Sequence, residues 1–265
     1  ISDCLVGSEM CIRDSITPYE DLINKWHLEK KEKDNEKSVP IKPITFWIEN
    51  TTPYELRPII KNAVLAWNIA FEEAGFIDAI EVKIQPDDAD WSAGDIRYNV
   101  LRWTSSPNPP FGGYGPSFTN PRTGEILGAD IMLEWIYLTN RVRYSEIFEN
   151  QEIRENDFCH NSLIKQENRI FGKLATEALD LNEKEVSRLY EEDLYQLILH
   201  EVGHTLGLNH NFAASTLHNN SDVHNPEITY KEGLSSSVMD YHALNIAPIG
   251  AVSYTHLTLP TTTIV

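Results

Sequence analysis

The sequence predicts an α+β fold in which helices pack on a mixed, twisted sheet. Strand-like and helical runs alternate along the first half of the chain, and the second half holds long helix-forming stretches. Of the 265 residues, 41% are apolar, which is enough to supply a buried core. There is no repeat with a period of about 20 to 50 residues, so a solenoid is disfavoured.

The net charge of the chain argues against two classes of binding partner. Forty acidic and 22 basic residues give a net charge of −18, and such a surface repels nucleic acid and anionic membranes. No apolar run approaches the roughly 18 residues that cross a bilayer. We therefore expect no nucleic-acid partner and no membrane insertion within this fragment, while the oligomeric state stays open.

Both ends of the chain resemble translated sequencing-adapter read-through, namely "ISDCLVGSEMCIRDS" at residues 1–15 and "VSYTHLTLPTT" within residues 252–265. We expect the natural sequence to be a fragment of a longer protein, from about Ile16 to about Ala251. Cys159 is then the one remaining cysteine, which excludes a disulfide framework and a thiolate metal cluster.

Residues 16–42 are predicted to form a charged linker or leader, because "LEKKEKDNEKSVP" at Leu28–Pro40 has no apolar period. The folded domain is then expected over residues 43–251. It begins with "PITFWIEN" at Pro43–Asn50, a β-branched and aromatic run that predicts a strand.

The next run, at residues 51–76, has helical spacing. Thr52 and Glu55 resemble a capping box, but Pro58 fits only a first turn, so the helix is expected to begin nearer Arg57. Gly75 suits the C-terminal stop. The apolar face comprises Ile60, Val64, Trp67 and Phe71.

Two alternating runs, "AIEVKIQP" at Ala79–Pro86 and "DIRYNVLRW" at Asp95–Trp103, predict a second and a third strand. A loop rich in proline and glycine follows at Ser105–Pro116. A turn at Asn120–Gly124 then separates two strand-like runs, which predicts a hairpin.

Residues 136–190 are polar and helix-forming, and we interpret them as a helical insertion with a break at Asp180–Asn182. "EEDLYQLILHEVGHTLGL" at Glu191–Leu208 predicts a further helix, with acidic residues in its first turn. Its apolar face comprises Leu194, Leu197, Ile198 and Val202.

The motif "HEVGHTLGLNH" runs from His200 to His210. Histidines at i and i+4 share one helical face, so His200 and His204 can present two nitrogens to one ion. Glu201 lies one residue further around the helix, where its carboxylate can act as general base on a zinc-activated water.

The third histidine requires the helix to end quickly. Gly207 can adopt a positive φ and turn the backbone so that His210 approaches the same ion. Three neutral histidines leave a fourth position open, which is typical of a catalytic Zn²⁺ site with one ion.

The eleven residues match the metzincin signature, and "SSVMDY" at Ser236–Tyr241 resembles the Met-turn of that family, with Met239 packing beneath the zinc histidines. Further segments are similar to the sequences of the large bacterial zinc-dependent Met-zincins, among them "AWNIAFEEAGF", "NPRTGEILGADI" and "HEVGHTLGLNHNFAAS". The resemblance covers roughly Pro43 to Pro248. Asn211, directly after the third histidine, departs from the better-known metzincins and leaves substrate preference open.

The resemblance implies an upper sheet-and-helix subdomain, a small irregular lower subdomain and an active-site cleft between them. It also implies a secreted, periplasmic or cell-envelope location and a longer parent protein. Tyr241, two residues after Met239, corresponds to a tyrosine near the metal in astacin-like and serralysin-like members. By this resemblance, its hydroxyl would be a fifth metal ligand at rest and would donate a hydrogen bond to the oxyanion formed during the reaction; a structural tyrosine is the alternative.

These observations predict a zinc metalloendopeptidase that acts on a peptide or protein substrate. The alternative is an inactive zincin-fold module that binds peptides or serves adhesion in a larger envelope protein. By resemblance, a substrate peptide would pair with an edge strand, for which Gly112–Ser117 and Leu127–Ile131 are both candidates.

The remaining candidate ligands are weaker. Four further histidines have no partner at ligand spacing and are expected to be structural or exposed: His160, His218, His224 and His242. "PDDAD" at Pro86–Asp90 suggests calcium, but its spacing matches no defined loop, so a solvated turn is the preferred interpretation.

Overall fold

A computed structural model of the chain describes residues 22–106, 113–134 and 183–241. Its mixed sheet and packed helices confirm the α+β class. Both terminal segments, most of the expected insertion with its break, and the side chains of Cys159, His160 and His242 lie outside the described residues.

The predicted strands and helices occur in the predicted order, and the structure adds a short strand at the start, a two-residue strand (Gly113–Tyr114) within the predicted loop Ser105–Pro116, and a helix after the motif. In chain order they are β1 (Lys25–Trp26), β2 (Ile44–Ile48), α1 (Arg57–Ala66), α2 (Asn68–Glu73), β3 (Ile80–Ile84), β4 (Asn99–Thr104), β5 (Gly113–Tyr114), β6 (Ser117–Thr119), β7 (Glu125–Glu134), α3 (Glu183–Thr205) and α4 (Pro226–Glu232). Two 3₁₀ helices, Phe212–Thr216 and Asp222–His224, lie between α3 and α4. Residues 183–190 are the first turns of α3, so the part of the expected insertion that is described continues directly into the helix of the motif.

The strands form one sheet in the order β1-β7-β4-β2-β3, all parallel along this path. β5 and β6 pair antiparallel with β7. The β6–β7 pair, closed by a turn in which Gly124 N donates to Asn120 O, confirms the predicted hairpin.

Helices α1 and α3 pack on each other and on the sheet, and the core lies between these layers. The apolar positions expected on the two helices are buried, apart from half-buried Phe71. Trp67 joins the helices directly, because its indole Nε1 donates to Leu199 O at 3.1 Å. None of the helices in the described segments is long and apolar enough to span a bilayer.

The prediction that the fold begins only after Pro40 is wrong. β1 pairs with β7, and Trp26 Nε1 donates to Thr205 O at 2.9 Å, which ties this segment to the end of α3. Ser38 and Pro40 are buried. The charged side chains between them and β1 point mainly to solvent while the backbone forms hydrogen bonds, such as Lys31 N to Val39 O. Side-chain polarity alone therefore gave the wrong prediction.

The first helix begins at Arg57, as predicted, and α2 ends before Gly75. Thr52 and Glu55 do not form a capping box, since the N-cap is Leu56 and no side chain caps this end. The Arg57 guanidinium instead donates to the carbonyls of Thr52 and Asn50. The single predicted helix is divided at Trp67 into α1 and α2.

β4 starts at Asn99, four residues later than expected. Asp95 forms a local turn, in which Tyr98 N donates to its carbonyl and Arg97 binds its carboxylate at 2.6 Å. Hydrogen bonds from Arg97 hold the pKa of Asp95 at about 2. The hydrogen bonds of the turn, from Tyr98 N to Asp95 O and from Arg97 N to Asp95 Oδ1, therefore hold these residues outside the strand.

Candidate metal centre

The C-terminal part of α3 carries the first two histidines of the motif. Its apolar residues anchor it in the core, where Leu197, Ile198 and Val202 have no exposed surface. His200 and Glu201 are also fully buried, and His204 is half-buried. The helix therefore holds these side chains rigidly at the boundary between core and surface.

The third histidine reaches the same place because α3 ends abruptly. Gly207 has a φ of 94°, and Leu208 N donates back to Gly203 O at 3.1 Å, which closes the turn. His210 then lies with its Nε2 atom 3.1 Å from the Nε2 atom of His204. The ligand atoms of the three histidines all lie within 4.8 Å of one another.

Hydrogen bonds orient two of the three rings. His200 Nδ1 lies 2.7 Å from Val238 O, and His204 Nδ1 lies 2.9 Å from Leu208 O. Because a carbonyl oxygen only accepts, each Nδ1 atom carries the proton and each Nε2 atom keeps its lone pair. Burial lowers the pKa of His204, which favours the neutral ring. This donor set fits a metal ion.

Met239 lies directly under the histidine-bearing helix and is 2% exposed. A methyl group on Gly203 would lie 2.3 Å from Met239 Sδ, so the absence of a side chain at this position lets the methionine contact the helix. The glycine between the two histidines is therefore part of the packing of the site. The expectation that Met239 acts through packing agrees with this contact.

Tyr241 and Phe212 close one side of the cluster. The Tyr241 hydroxyl lies 2.5 Å from His210 Nε2, and the Tyr241 ring contacts the rings of both His210 and His200. Phe212 stacks on His210 and contacts Tyr241 edge-on, although 59% of its surface is exposed. The zinc-binding motif did not predict a role for Phe212. The one sequence feature that could have indicated such a role is its position two residues after the third histidine.

Glu201 is covered by the segment that contains β5. A methyl group on Gly113 would lie 3.2 Å from Glu201 Oε1, and one on Gly115 would lie 2.5 Å from Glu201 O. The backbone of this segment therefore runs directly over the carboxylate and its helix turn. Two glycines permit an approach that larger residues would prevent.

The two candidate edge strands are now distinguished. Leu127–Ile131 lies inside the sheet, because β7 pairs with β6 through Gly128 and Ala129 and with β4 through Asp130 and Ile131. The prediction that Leu127–Ile131 forms an edge strand is therefore wrong. Over the described residues, β5 and β6 pair with β7 alone, so the described part of Gly112–Ser117 lies at the margin of the sheet.

The other candidate ligands do not join the cluster. Within residues 22–106, 113–134 and 183–241, the three motif histidines are the one group of at least three side chains at metal-binding distance. His218 Nε2 hydrogen-bonds Gly233 O at 2.7 Å, which gives it a structural contact. The acidic residues of Pro86–Asp90 are exposed, in agreement with a solvated turn.

Comparison with known families gives one match. Residues 182–261 match the family model described as Met-zincin, which includes the motif, Met239 and Tyr241. Comparisons with curated proteins and with solved structures gave no match. The metzincin-like character expected from the sequence is thus confirmed for this part of the chain.

Proposed function

We propose that this metzincin-like chain is a zinc-dependent endopeptidase in which His200, His204 and His210 hold the metal and Glu201 is the general base. The observation that carries the proposal is the convergence of three imidazoles within 4.8 Å, with a buried carboxylate on the adjacent helical position. A structural zinc site would need a fourth protein ligand. The described residues place no fourth His, Cys, Asp or Glu ligand in this group.

The choice of zinc follows from the ligands. Imidazole nitrogen suits zinc, copper, iron and nickel, whereas calcium and magnesium prefer oxygen donors. Three histidines with one open position are the ligand set of several hydrolytic zinc enzymes. When bound, zinc supplies a Lewis acid that activates water and polarises a carbonyl group.

The position of Glu201 on the helix supports a role in proton transfer. Successive residues of a helix are rotated by about 100°, so in this proposal the carboxylate acts beside the histidine pair, and it is not among the three side chains that converge on the metal site. Burial under the β5 segment keeps bulk water away from the carboxylate. We propose that Glu201 accepts a proton from the attacking water and transfers it to the leaving amine.

The remaining elements fit a peptide substrate. The segment Gly113–Ser117 lies at the margin of the sheet and crosses Glu201, so a peptide that pairs with it would bring a scissile bond to the base. The hydroxyl of Tyr241 lies against His210. In this proposal it donates a hydrogen bond to the oxyanion of the tetrahedral intermediate.

A digest of casein or a mixed peptide library tests the proposal. We expect cleavage that stops when a zinc chelator is added and returns when Zn²⁺ is restored. His204→Ala should lose both metal and activity, whereas the matched control His218→Ala, which lies outside the cluster, should keep both. Peptide binding without cleavage by the zinc-loaded chain would instead support a non-catalytic module.

A further inference from the structure

Asp240 is a buried carboxylate within the turn that contains Met239, and only 2% of its surface is exposed. Such a group is stable in the interior only when hydrogen bonds replace its water. Its Oδ2 atom accepts from Ser215 Oγ at 2.6 Å and from Ser235 Oγ at 2.7 Å, and its Oδ1 atom accepts from Tyr241 N at 2.8 Å. The two hydroxyl bonds are as short as charge-assisted bonds usually are, at about 2.5–2.7 Å.

These bonds join two segments that are distant in sequence. Ser215 belongs to the 3₁₀ helix Phe212–Thr216, which follows His210, whereas Ser235 and Tyr241 belong to the same turn as Asp240. Backbone bonds run beside them, since Asn211 N donates to Met239 O at 2.9 Å. Asp240 connects the turn to the segment leaving the third histidine, beside Ser236, whose N and Oγ atoms donate to Ala214 O at 3.2 and 3.4 Å.

The other side of the same turn contacts the first histidine. Val238 O accepts the hydrogen bond from His200 Nδ1 at 2.7 Å. Val238, Met239 and Asp240 are consecutive, so the turn contacts His200 through one residue and the His210 segment through the next two. The turn therefore contacts both the helix that carries His200 and the segment that follows His210.

We propose that Asp240 is a positioning residue for the metal site: by tying the turn to Ser215, it holds His200 and His210 at the separation that one ion requires. The proposal rests on the metal site of the proposed function. Partners of this kind, which orient ligands without binding the metal, typically contribute about 10- to 100-fold in metal affinity. Loss of the carboxylate should lower affinity by that factor although no ligand is changed.

Glu134 offers a matched control. It is another buried carboxylate, 3% exposed, and it accepts from Thr104 Oγ1, Ser106 Oγ and Ser106 N. It lies at the end of β7 and contacts none of the histidines through these bonds. Glu134→Gln should therefore reduce stability as a buried carboxylate substitution does, without a change in metal affinity.

The test measures Zn²⁺ affinity by competition with a chelating indicator, together with urea unfolding, for Asp240→Asn, Ser215→Ala, Ser235→Ala and Glu134→Gln. We expect a 10- to 100-fold loss of affinity in Asp240→Asn, a smaller loss in Ser215→Ala, and a change of less than about twofold in the other two. Ser235 lies in the turn itself, so its removal leaves the turn tied to the 3₁₀ helix. The visible absorption of bound Co²⁺ should change in Asp240→Asn and stay unchanged in Glu134→Gln.

If Asp240→Asn and Ser215→Ala bind Zn²⁺ as tightly as the wild type, or if Glu134→Gln loses as much affinity, the proposal is wrong. Should Asp240→Asn fail to fold, Ser215→Ala decides, because Ser215 is exposed and its removal leaves no large cavity. A wild type that binds no Zn²⁺ would overturn the proposed function, and this inference with it. A zinc-binding wild type with unaffected variants would overturn the role of Asp240 alone.

Discussion

Gly207→Ala should destabilise the chain, because this position combines a left-handed backbone with a close contact. Its φ of 94° is a conformation that costs an L-residue roughly 1–2 kcal/mol. The added methyl group would lie 2.1 Å from Asn24 O, a backbone atom that cannot rotate away. Overpacking of this kind costs about 1–3 kcal/mol, so we expect a total loss of about 2–5 kcal/mol.

Urea denaturation measures this loss, and Gly94→Ala is the control. Gly94 is exposed, does not have a positive φ, and has no heavy atom within 4 Å of an added methyl group. Its substitution should be neutral or stabilising by up to about 1 kcal/mol. Because the turn at Gly207 delivers His210, Gly207→Ala should also weaken Zn²⁺ binding. Equal stability of the two variants would refute the contact with the N-terminal segment.

Three further outcomes are expected. Tyr241→Phe should lower kcat by roughly 10²- to 10³-fold while zinc content is unchanged, as for loss of an oxyanion donor, and unchanged turnover would remove that role. Trp26→Phe should reduce the free energy of unfolding by about 1–3 kcal/mol, because the buried carbonyl of Thr205 loses its donor; an unaltered melting curve would argue against this bond. Burial raises the pKa of Asp130, so the folded state binds its proton more readily than the unfolded state does, and stability decreases as pH rises from the ordinary Asp range through the raised pKa. Asp130→Asn, which can still accept from Val100 N, should therefore be more stable than the wild type near pH 7 and equal to it near pH 3; the reverse order in a pH series of unfolding curves would contradict the sign.

The centre of the site could be predicted from the sequence because its geometry is local. His200 and His204 are one helical turn apart, Glu201 lies between them, and Gly207 ends the helix within the same eleven residues. The β6–β7 hairpin and the start of α1 were predictable for the same reason. Each depends on residues that are neighbours in sequence.

The features that the sequence did not predict depend on distant contacts. Trp26 donates a hydrogen bond to the carbonyl of Thr205, which lies 179 positions further along the chain. The charged side chains that follow Trp26 predicted a linker, although the backbone of this segment pairs with β7. Asp240 and Ser215 are 25 positions apart and carry no shared motif. The approach of Gly113 to Glu201 arises only when the sheet places β5 against α3. The spacing of residues predicts contacts within one helix or one strand. The contacts named here form only between elements that the complete fold brings together.

The most direct test of the central claim compares zinc content and peptide hydrolysis in the wild type and in Glu201→Ala. The proposal predicts about one zinc per chain in both proteins, because Glu201 is not among the three ligands. Hydrolysis should fall by roughly 10²- to 10⁴-fold in the variant, the usual contribution of a general base. Cleavage by Glu201→Ala at the wild-type rate, still abolished by a zinc chelator, would contradict the assignment of Glu201 and the mechanism built on it.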